Sequence, residues 1–122
     1  MKSESVIRGK SFAFSVRIIK LYQYLCKEKK EFVLSKQLLR CGTSIGANVE
    51  ESIGGQSDRD FLSKISISYK EAKETIYWIR LLEATDYLDE RQSQSILNDA
   101  DELCKILCKI ILSMKKKLRI KN

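Results

Sequence analysis

The 122-residue sequence contains no proline and only five glycines. Proline and glycine most often end helices and form tight turns, and all-β folds need many such turns. A chain with so few of them is predicted to fold into a small number of long helices. Hydrophobic residues at 43% and charged residues at 32% exclude collagen-like and intrinsically disordered chains. The length fits one domain with a single hydrophobic core.

Apolar residues recur at three- and four-residue steps in four segments, as on one face of a helix. Gly54 and Gly55 indicate the end of the second segment, Ser57 precedes the third, and Asp89 with Gln92 opens the fourth. Short connections place consecutive helices side by side in opposite directions. The sequence therefore predicts an all-α, antiparallel up-down-up-down four-helix bundle formed by residues 1–122 as one domain. The predicted helices span residues 8–30, 35–53, 58–85 and 90–117.

The first predicted helix carries more apolar surface than one bundle core requires, because two stripes together cover roughly 220° of its circumference. One stripe contains Phe12, Val16, Ile19, Tyr22 and Cys26. The second contains Phe14, Ile18, Leu21 and Leu25. On the third helix, Ile67 and Trp78 lie nearly opposite the core positions. We expect the second stripe, Ile67 and Trp78 to form the interface of a homo-oligomer.

Positive charge is concentrated at the two ends of the chain. The sequence has 23 Lys and Arg against 16 Asp and Glu, a net charge of +7, with most of the excess in residues 1–30 and 89–122. Up-down topology brings these segments to one end of the bundle, where clustered cations would attract the phosphate backbone of RNA or DNA. A solvated lysine tail and binding to anionic lipid are the alternatives. The predicted nucleic-acid-binding residues are Lys2, Arg8, Lys10, Arg17, Lys20, Lys27, Lys115, Lys116, Lys117, Arg119 and Lys121. Tyr24 lies among them and could stack on a base.

The sequence offers little catalytic chemistry. It has no histidine, which removes the commonest general base, the usual nucleophile triads and most catalytic zinc and iron sites. We therefore expect a protein that is not an enzyme. Cys26 and Cys41 lie too far along the bundle from Cys104 and Cys108 for one tetrahedral zinc site, so reduced, buried thiols are expected, with no metal and no cofactor. Without a membrane-spanning run or a signal peptide, the sequence predicts a cytoplasmic protein with no membrane partner.

A line of polar residues follows the second helix away from its apolar stripe: Arg40, Ser44, Asn48 and Glu51. An interhelical or intersubunit hydrogen-bond network is the favoured interpretation, and an anion-binding site is the alternative. Gly42 and Gly46 lie in the same helix, where glycine costs about 1 kcal/mol relative to alanine. They indicate that a backbone or a large side chain, with Trp78 as a candidate, packs closely there.

Residues 39–51 contain the pattern Arg-x-x-x-Ser-Ile-x-x-Asn-Val-x-Glu, and residues 57–82 contain Asp-Phe, Lys-Glu-Ala and Tyr-Trp-Ile groups. Through these motifs, residues 12–117 resemble a bacterial four-helix bundle family encoded within intervening sequences of 23S ribosomal RNA genes. That family includes the accessory variability determinant protein of diversity-generating retroelements. The stretch at residues 70–78 is closer to the intervening-sequence members.

The resemblance implies a homopentamer with a basic surface. For the retroelement branch it also implies binding to nucleic acid and to a reverse transcriptase. The predicted function is therefore that of a non-enzymatic, oligomeric accessory protein that contacts the backbone of RNA or DNA. The alternative is a protein-interaction module, such as a reverse-transcriptase partner, whose positive charge is incidental.

Overall fold

A computed structural model of the chain describes residues 2–120, which form four α-helices and no β-strand. The helices are α1 (Lys2–Lys27), α2 (Leu34–Ile53), α3 (Asp58–Ala84) and α4 (Glu90–Lys117). The predicted limits of α2, α3 and α4 agree with these to within one residue. Helix α1 begins earlier than predicted, because Ile7 and the turn around it pack into the core. It also ends earlier, since Lys30 in the following loop has a positive φ of 56° that no helix continues.

The helices pack around one core in chain order, and α4 returns to contact α1. Within residues 2–120, the backbones of the diagonal pairs α1–α3 and α2–α4 do not come within 8 Å of each other, measured between Cα atoms. Residues early in one helix meet residues late in its neighbour, so neighbouring helices run in opposite directions and the predicted topology is confirmed. Between α1 and α2 the pairs are Arg8–Glu50 and Cys26–Ser35, and between α2 and α3 they are Arg40–Glu74 and Lys64–Glu51. Between α3 and α4 they are Lys117–Asp58 and Ser93–Glu83, and between α1 and α4 they are Lys10–Glu102 and Arg17–Ser95.

Periodicity correctly identified the core faces of α2 and α4. Leu38, Ile45 and Val49 of α2, which belong to the apolar residues that recur along one face of this segment, are buried. The same holds for the α4 positions Ile96, Ala100, Leu103, Leu107, Ile110 and Met114. Burial of such faces stabilises the bundle by about 25 cal/mol per Å² of apolar surface removed from water.

The interface prediction for α1 was wrong, because the structure turns the other stripe outward. Phe14, Ile18 and Leu25 are 3%, 0% and 0% exposed and belong to the core, and Leu21 is half-buried against it. Phe12, in the other stripe, is 69% exposed. Both stripes are apolar, so hydrophobic periodicity could not decide between them. The inward face is the one on which Ile18 and the small residue Ser11 fit against α2.

Two glycines of α2 allow this close packing against α1. A Cβ atom placed on Gly42 would lie 2.8 Å from Cγ1 and Cγ2 of Ile18. A Cβ on Gly46 would lie 3.2 Å from the backbone oxygen of Ser11 and from Oγ of Ser15. The expected close approach is therefore present, but its partner is α1. The suggestion of Trp78 as the neighbour was wrong, since the atoms nearest to both glycines belong to α1.

We predict that Gly42→Ala lowers the free energy of unfolding by about 1–3 kcal/mol, because the added methyl group overlaps a stiff β-branched side chain. The Ile18→Ala background is the matched control. There the methyl group has room, and the substitution should be neutral or stabilise the fold by up to about 1 kcal/mol. Urea denaturation of the wild type, both single variants and the double variant measures the coupling. An equal cost in the two backgrounds would contradict the contact.

The start of α2 is capped by Glu31, to which no sequence pattern pointed. Its buried carboxylate accepts hydrogen bonds from the backbone N–H groups of Val33 (3.1 Å), Leu34 (2.9 Å) and Ser35 (2.7 Å). These donors belong to the first turn, where a helix provides no acceptors of its own. Burial alone would raise the pKa of Glu31, but the hydrogen bonds together lower it below its ordinary value.

We predict that Glu31→Gln destabilises the protein by about 1–2 kcal/mol at neutral pH, since it removes a charged acceptor from these N–H groups. A carboxylate whose pKa is lower in the folded state contributes its full stability above the unfolded-state pKa. That contribution is lost as the pH falls through the folded-state pKa. The difference between wild type and variant should therefore shrink as the pH is lowered below about 4.3, the ordinary pKa of a glutamate. Denaturation at several pH values measures it, with the exposed Glu28→Gln as control. A pH-independent difference would argue against the cap.

Candidate nucleic-acid interface

Four of the predicted nucleic-acid-binding cations form ion pairs within the molecule. The hydrogen bond and the charge of Glu50 raise the pKa of Arg8. All four pairs join different helices and are exposed, and solvent screening leaves such pairs a small contribution to stability. They are Arg8–Glu50 (2.7 Å), Lys10–Glu102 (3.0 Å), Arg17–Asp99 (2.6 Å) and Lys117–Asp58 (3.1 Å).

The cations that were expected to cluster at one end of the bundle are therefore divided into ion-paired and unpaired residues. The antiparallel topology does bring the two ends together, since Glu4 of α1 lines the same groove as Ser113 and Met114 of α4. Arg8, however, is directed to α2 and Lys117 to α3. Six predicted cations have no ion-pair partner within residues 2–120: Lys2, Lys20, Lys27, Lys115, Lys116 and Arg119. Lys121 lies outside the described residues.

The outer face of α4 adds cations that were not predicted. Arg91, Lys105 and Lys109 are exposed, and Lys109 lies seven residues before Lys116, on the same side of the helix. Their spacing, opposite the α4 core positions, was the signal in the sequence that could have identified them. Lys105 pairs with Asp101 at 3.2 Å, whereas Arg91 and Lys109 have no ion-pair partner in the described part of the chain. We define the α1–α4 basic face as Lys2, Lys20, Arg91, Lys109 and Lys116.

The two helices that carry this face form a seam with a groove at each end. The upper groove, about 640 Å³, is lined by Arg17, Lys20, Leu21, Tyr24, Asp89, Arg91, Gln92, Ser95 and Ile96. The lower groove, about 340 Å³, is lined by Lys2, Val6, Ile106 and Lys109. Lys2 and Lys20 are roughly 27 Å apart along α1, at 1.5 Å per residue. The unpaired cations therefore lie at both ends of one seam.

Cross-helix contacts hold the middle of the seam. Lys10 bridges to Glu102, and Arg17 bridges to Asp99. The Arg17 guanidinium also donates to the backbone oxygen of Ser95 (3.2 Å) and to its Oγ (2.5 Å). Arg17 is therefore fixed in place by α4, and less of its charge is available to a ligand than that of Lys20.

The polar line on α2 does not form a continuous network. Oγ of Ser44 donates to the Arg40 backbone oxygen (2.6 Å), and Nδ2 of Asn48 donates to the Ser44 backbone oxygen (2.8 Å). These two residues therefore bond within their own helix. The ends of the line reach α3 through the ion pairs Arg40–Glu71, Arg40–Glu74 and Glu51–Lys64. The line contributes interhelical bridges at its two ends only.

Two exposed apolar patches lie on diagonally opposed helices. The α1 patch consists of Phe12, Val16 and Ile19, all exposed. On α3, Ile67 and Tyr77 are exposed and Trp78 is half-buried, with Glu71 and Glu74 between Ile67 and the two aromatic residues in the sequence. We call Ile67, Tyr77 and Trp78 the α3 patch, although Ile67 lies about 16 Å along the helix from Trp78. The Trp78 indole N–H donates to Glu74 (3.0 Å), and its ring meets Tyr77 edge-on at 5.3 Å. The outward tryptophan thus already has one polar partner on its own helix.

The four cysteines are free thiols, of which Cys41 and Cys104 are buried. Burial raises the pKa of Cys41 to about 11, and the Thr75 hydroxyl donates to its Sγ at 3.3 Å. Burial also raises the pKa of Cys104. Residues 2–120 contain no group of three or more His, Cys, Asp or Glu side chains able to hold a metal ion. Within the same range, no helix combines the length and apolar character needed to cross a membrane.

Comparison with known proteins places this architecture in a family. The 23S rRNA-intervening sequence protein family matches residues 3–109. The chain is also similar to a crystal structure of a protein of unknown function from the S23 ribosomal protein family of Bacteroides thetaiotaomicron VPI-5482. The two are 50% identical with a TM-score of 0.88, over 89% of this chain and 97% of that one. No curated protein matches the sequence. The chain therefore belongs to the 23S rRNA-intervening sequence protein family.

Proposed function

We propose that this protein is a non-enzymatic, cytoplasmic accessory protein that assembles into a ring and contacts the backbone of RNA or DNA through the α1–α4 basic face. The observation that carries the proposal is the set of five cations on this face that have no ion-pair partner within residues 2–120. Unpaired cations on one surface bind phosphates through the release of condensed counterions. The solved relative is described as a member of a ribosomal protein family, which makes RNA the first ligand to test.

Self-association is supported by the two apolar patches. The α1 and α3 patches lie on diagonally opposed helices, on different sides of the bundle. Association of one patch with the other is therefore head-to-tail, which generates either a closed ring or an open filament. An exposed phenylalanine beside valine and isoleucine is a surface that a partner stabilises by removing it from water.

Both patches lie on the side of their helix that is turned towards α2, and this arrangement favours the closed ring. Phe12 and Ile19 lie four residues after Arg8 and Ser15, both of which face α2. Ile67 and Trp78 lie four residues from Glu71 and Glu74, which bind Arg40 of α2. When both contact surfaces of a subunit are inclined towards the same side, each added subunit is rotated in the same direction. A row of such subunits therefore curves. The family resemblance implies five subunits in this ring.

The ring leaves the α4 part of the basic face free. Because the patches incline towards α2, this helix faces the centre of the ring and α4 lies on its outer rim. Each subunit then presents Arg91, Lys109 and Lys116 outward. A polyanion that spans neighbouring subunits gains avidity from repeated weak contacts, without a strong site on any one of them. The assembly thus supports binding that is tight for long ligands and weak for short ones.

We predict that Lys109→Gln combined with Lys116→Gln weakens RNA binding and lowers the slope of log affinity against log salt by about 2, since two phosphate contacts are lost. Fluorescence anisotropy with a labelled RNA, measured between about 50 and 200 mM salt, gives the slope. The matched control is Lys36→Gln with Arg59→Gln, an equal loss of charge on exposed residues of α2 and α3. Equal weakening in both variants would point to net charge alone. A wild-type affinity that does not change with salt would overturn the proposal.

We predict that Phe12→Asp combined with Ile19→Asp converts the ring to monomers with an unchanged helical circular-dichroism spectrum. Both side chains are exposed in the subunit, so charge there opposes association without disturbing the core. Light scattering should give a wild-type mass of about five 14.1 kDa chains, and one chain for the variant. Leu112→Asp, at an exposed apolar position of α4, is the control and should remain a ring. A monomeric wild type, or equal dissociation of the control, would contradict this assembly.

A further inference from the structure

The upper groove combines an apolar floor with a polar rim. Ile96 at the floor is buried, and Leu21 and Tyr24 beside it are half-buried against the core. Its volume of about 640 Å³ lies within the range of about 300–1,000 Å³ typical of small-ligand sites. The lower groove has cations but no aromatic side chain. The upper groove therefore offers an aromatic ring as well as charge. Phosphate binding alone does not need the ring.

The rim of the groove is rich in free hydrogen-bond donors. Within residues 2–120, the donor groups of Lys20, the Tyr24 hydroxyl, Arg91 and the Gln92 amide nitrogen have no partner. Oε1 of Gln92 accepts the backbone N–H of Asp89 (3.0 Å), which leaves the Nε2 donor free. A ligand for this rim must be rich in acceptors, as phosphate oxygens and nucleobase carbonyls are.

The adjacent N-terminus of α4 is already capped, so we assign the positive charge of the groove to its side chains. The Asp89 carboxylate accepts the backbone N–H of Gln92 (2.7 Å) and caps α4. Among residues 2–120, Asp89 is the one acidic side chain that lines the groove, against Arg17, Lys20 and Arg91. Since Arg17 is held by Asp99, a ligand phosphate would bind mainly Lys20 and Arg91.

We propose that the upper groove binds an unpaired nucleotide of a single strand, with its base on the Tyr24 ring and its phosphates on Lys20 and Arg91. This inference rests on the proposed nucleic-acid function and adds a preference to it. Bases in a duplex are stacked on one another and do not reach a ring at the floor of a groove, whereas an unpaired base does. Stacking tolerates any base, so the preference is for strandedness and not for sequence. The shared ligand chemistry, a base with its phosphate, occurs in both RNA and DNA.

The test compares Tyr24→Leu with Tyr24→Phe. Leucine keeps an apolar contact with the floor but removes the ring, and phenylalanine keeps the ring. Labelled single strands of about 12 nucleotides, as RNA and as DNA, are compared with the duplex of the same sequence. Tyr24→Leu should lower single-strand affinity by about tenfold and leave duplex affinity unchanged, whereas Tyr24→Phe should stay within about twofold of wild type. A single strand containing 2-aminopurine should be quenched by wild type and Tyr24→Phe but not by Tyr24→Leu.

The outcomes separate this inference from the proposed function. If Tyr24→Leu leaves single-strand affinity unchanged, or weakens single strand and duplex equally, the groove inference is overturned. Salt-dependent binding that is lost in Lys109→Gln with Lys116→Gln would then still support the basic face. If neither single strand nor duplex binds the wild type in a salt-dependent way, both proposals fail. Circular dichroism of Tyr24→Leu confirms that an observed loss reflects the site and not the fold.

Discussion

The close contact between α1 and α2 at Gly42 and Gly46 is the constraint on which the other surfaces depend. Ile18 and Ser11 occupy the space that side chains at those two positions would take. This contact fixes the rotation of α1 about its own axis. Once α1 is rotated in this way, Phe12 and its neighbours point outward and Lys20 with Tyr24 lies along α4. Two glycines on one helix therefore determine what a different helix presents to solvent.

The rotation of α1 divides the bundle into surfaces of different chemistry. Apolar patches lie on α1 and α3, and five cations without an ion-pair partner within residues 2–120 lie along the seam between α1 and α4. The region around α2 and α3 is bridged internally by Arg40 and Lys64, which bind acidic groups across that pair of helices. In the proposed function, this bundle with a net charge of +7 uses its apolar patches for association and its α1–α4 seam for a charged ligand.

The sequence predicted the helices well because their ends have local causes. Asp89 and Gln92 form the expected capping box, and Ser57 caps α3 through the Asp60 N–H. The orientation of α1 was missed, since both of its stripes are apolar and the choice between them is made by another helix. The available cations were predicted only in part, because whether Lys10 or Lys117 has an acidic partner depends on residues more than fifty positions away. Glu31 was missed because its cap lies outside the usual N-cap position.

The cross-helix ion pairs of the seam act as built-in counterions. Glu102 and Asp99 occupy Lys10 and Arg17 before any ligand arrives. Under the proposed function, a phosphate that binds these cations must displace a tethered carboxylate, which stays nearby and competes for the same site. Fewer mobile ions are then set free than the number of cations in the footprint implies. The phosphate binding proposed for this seam would therefore depend less steeply on salt than its total charge implies.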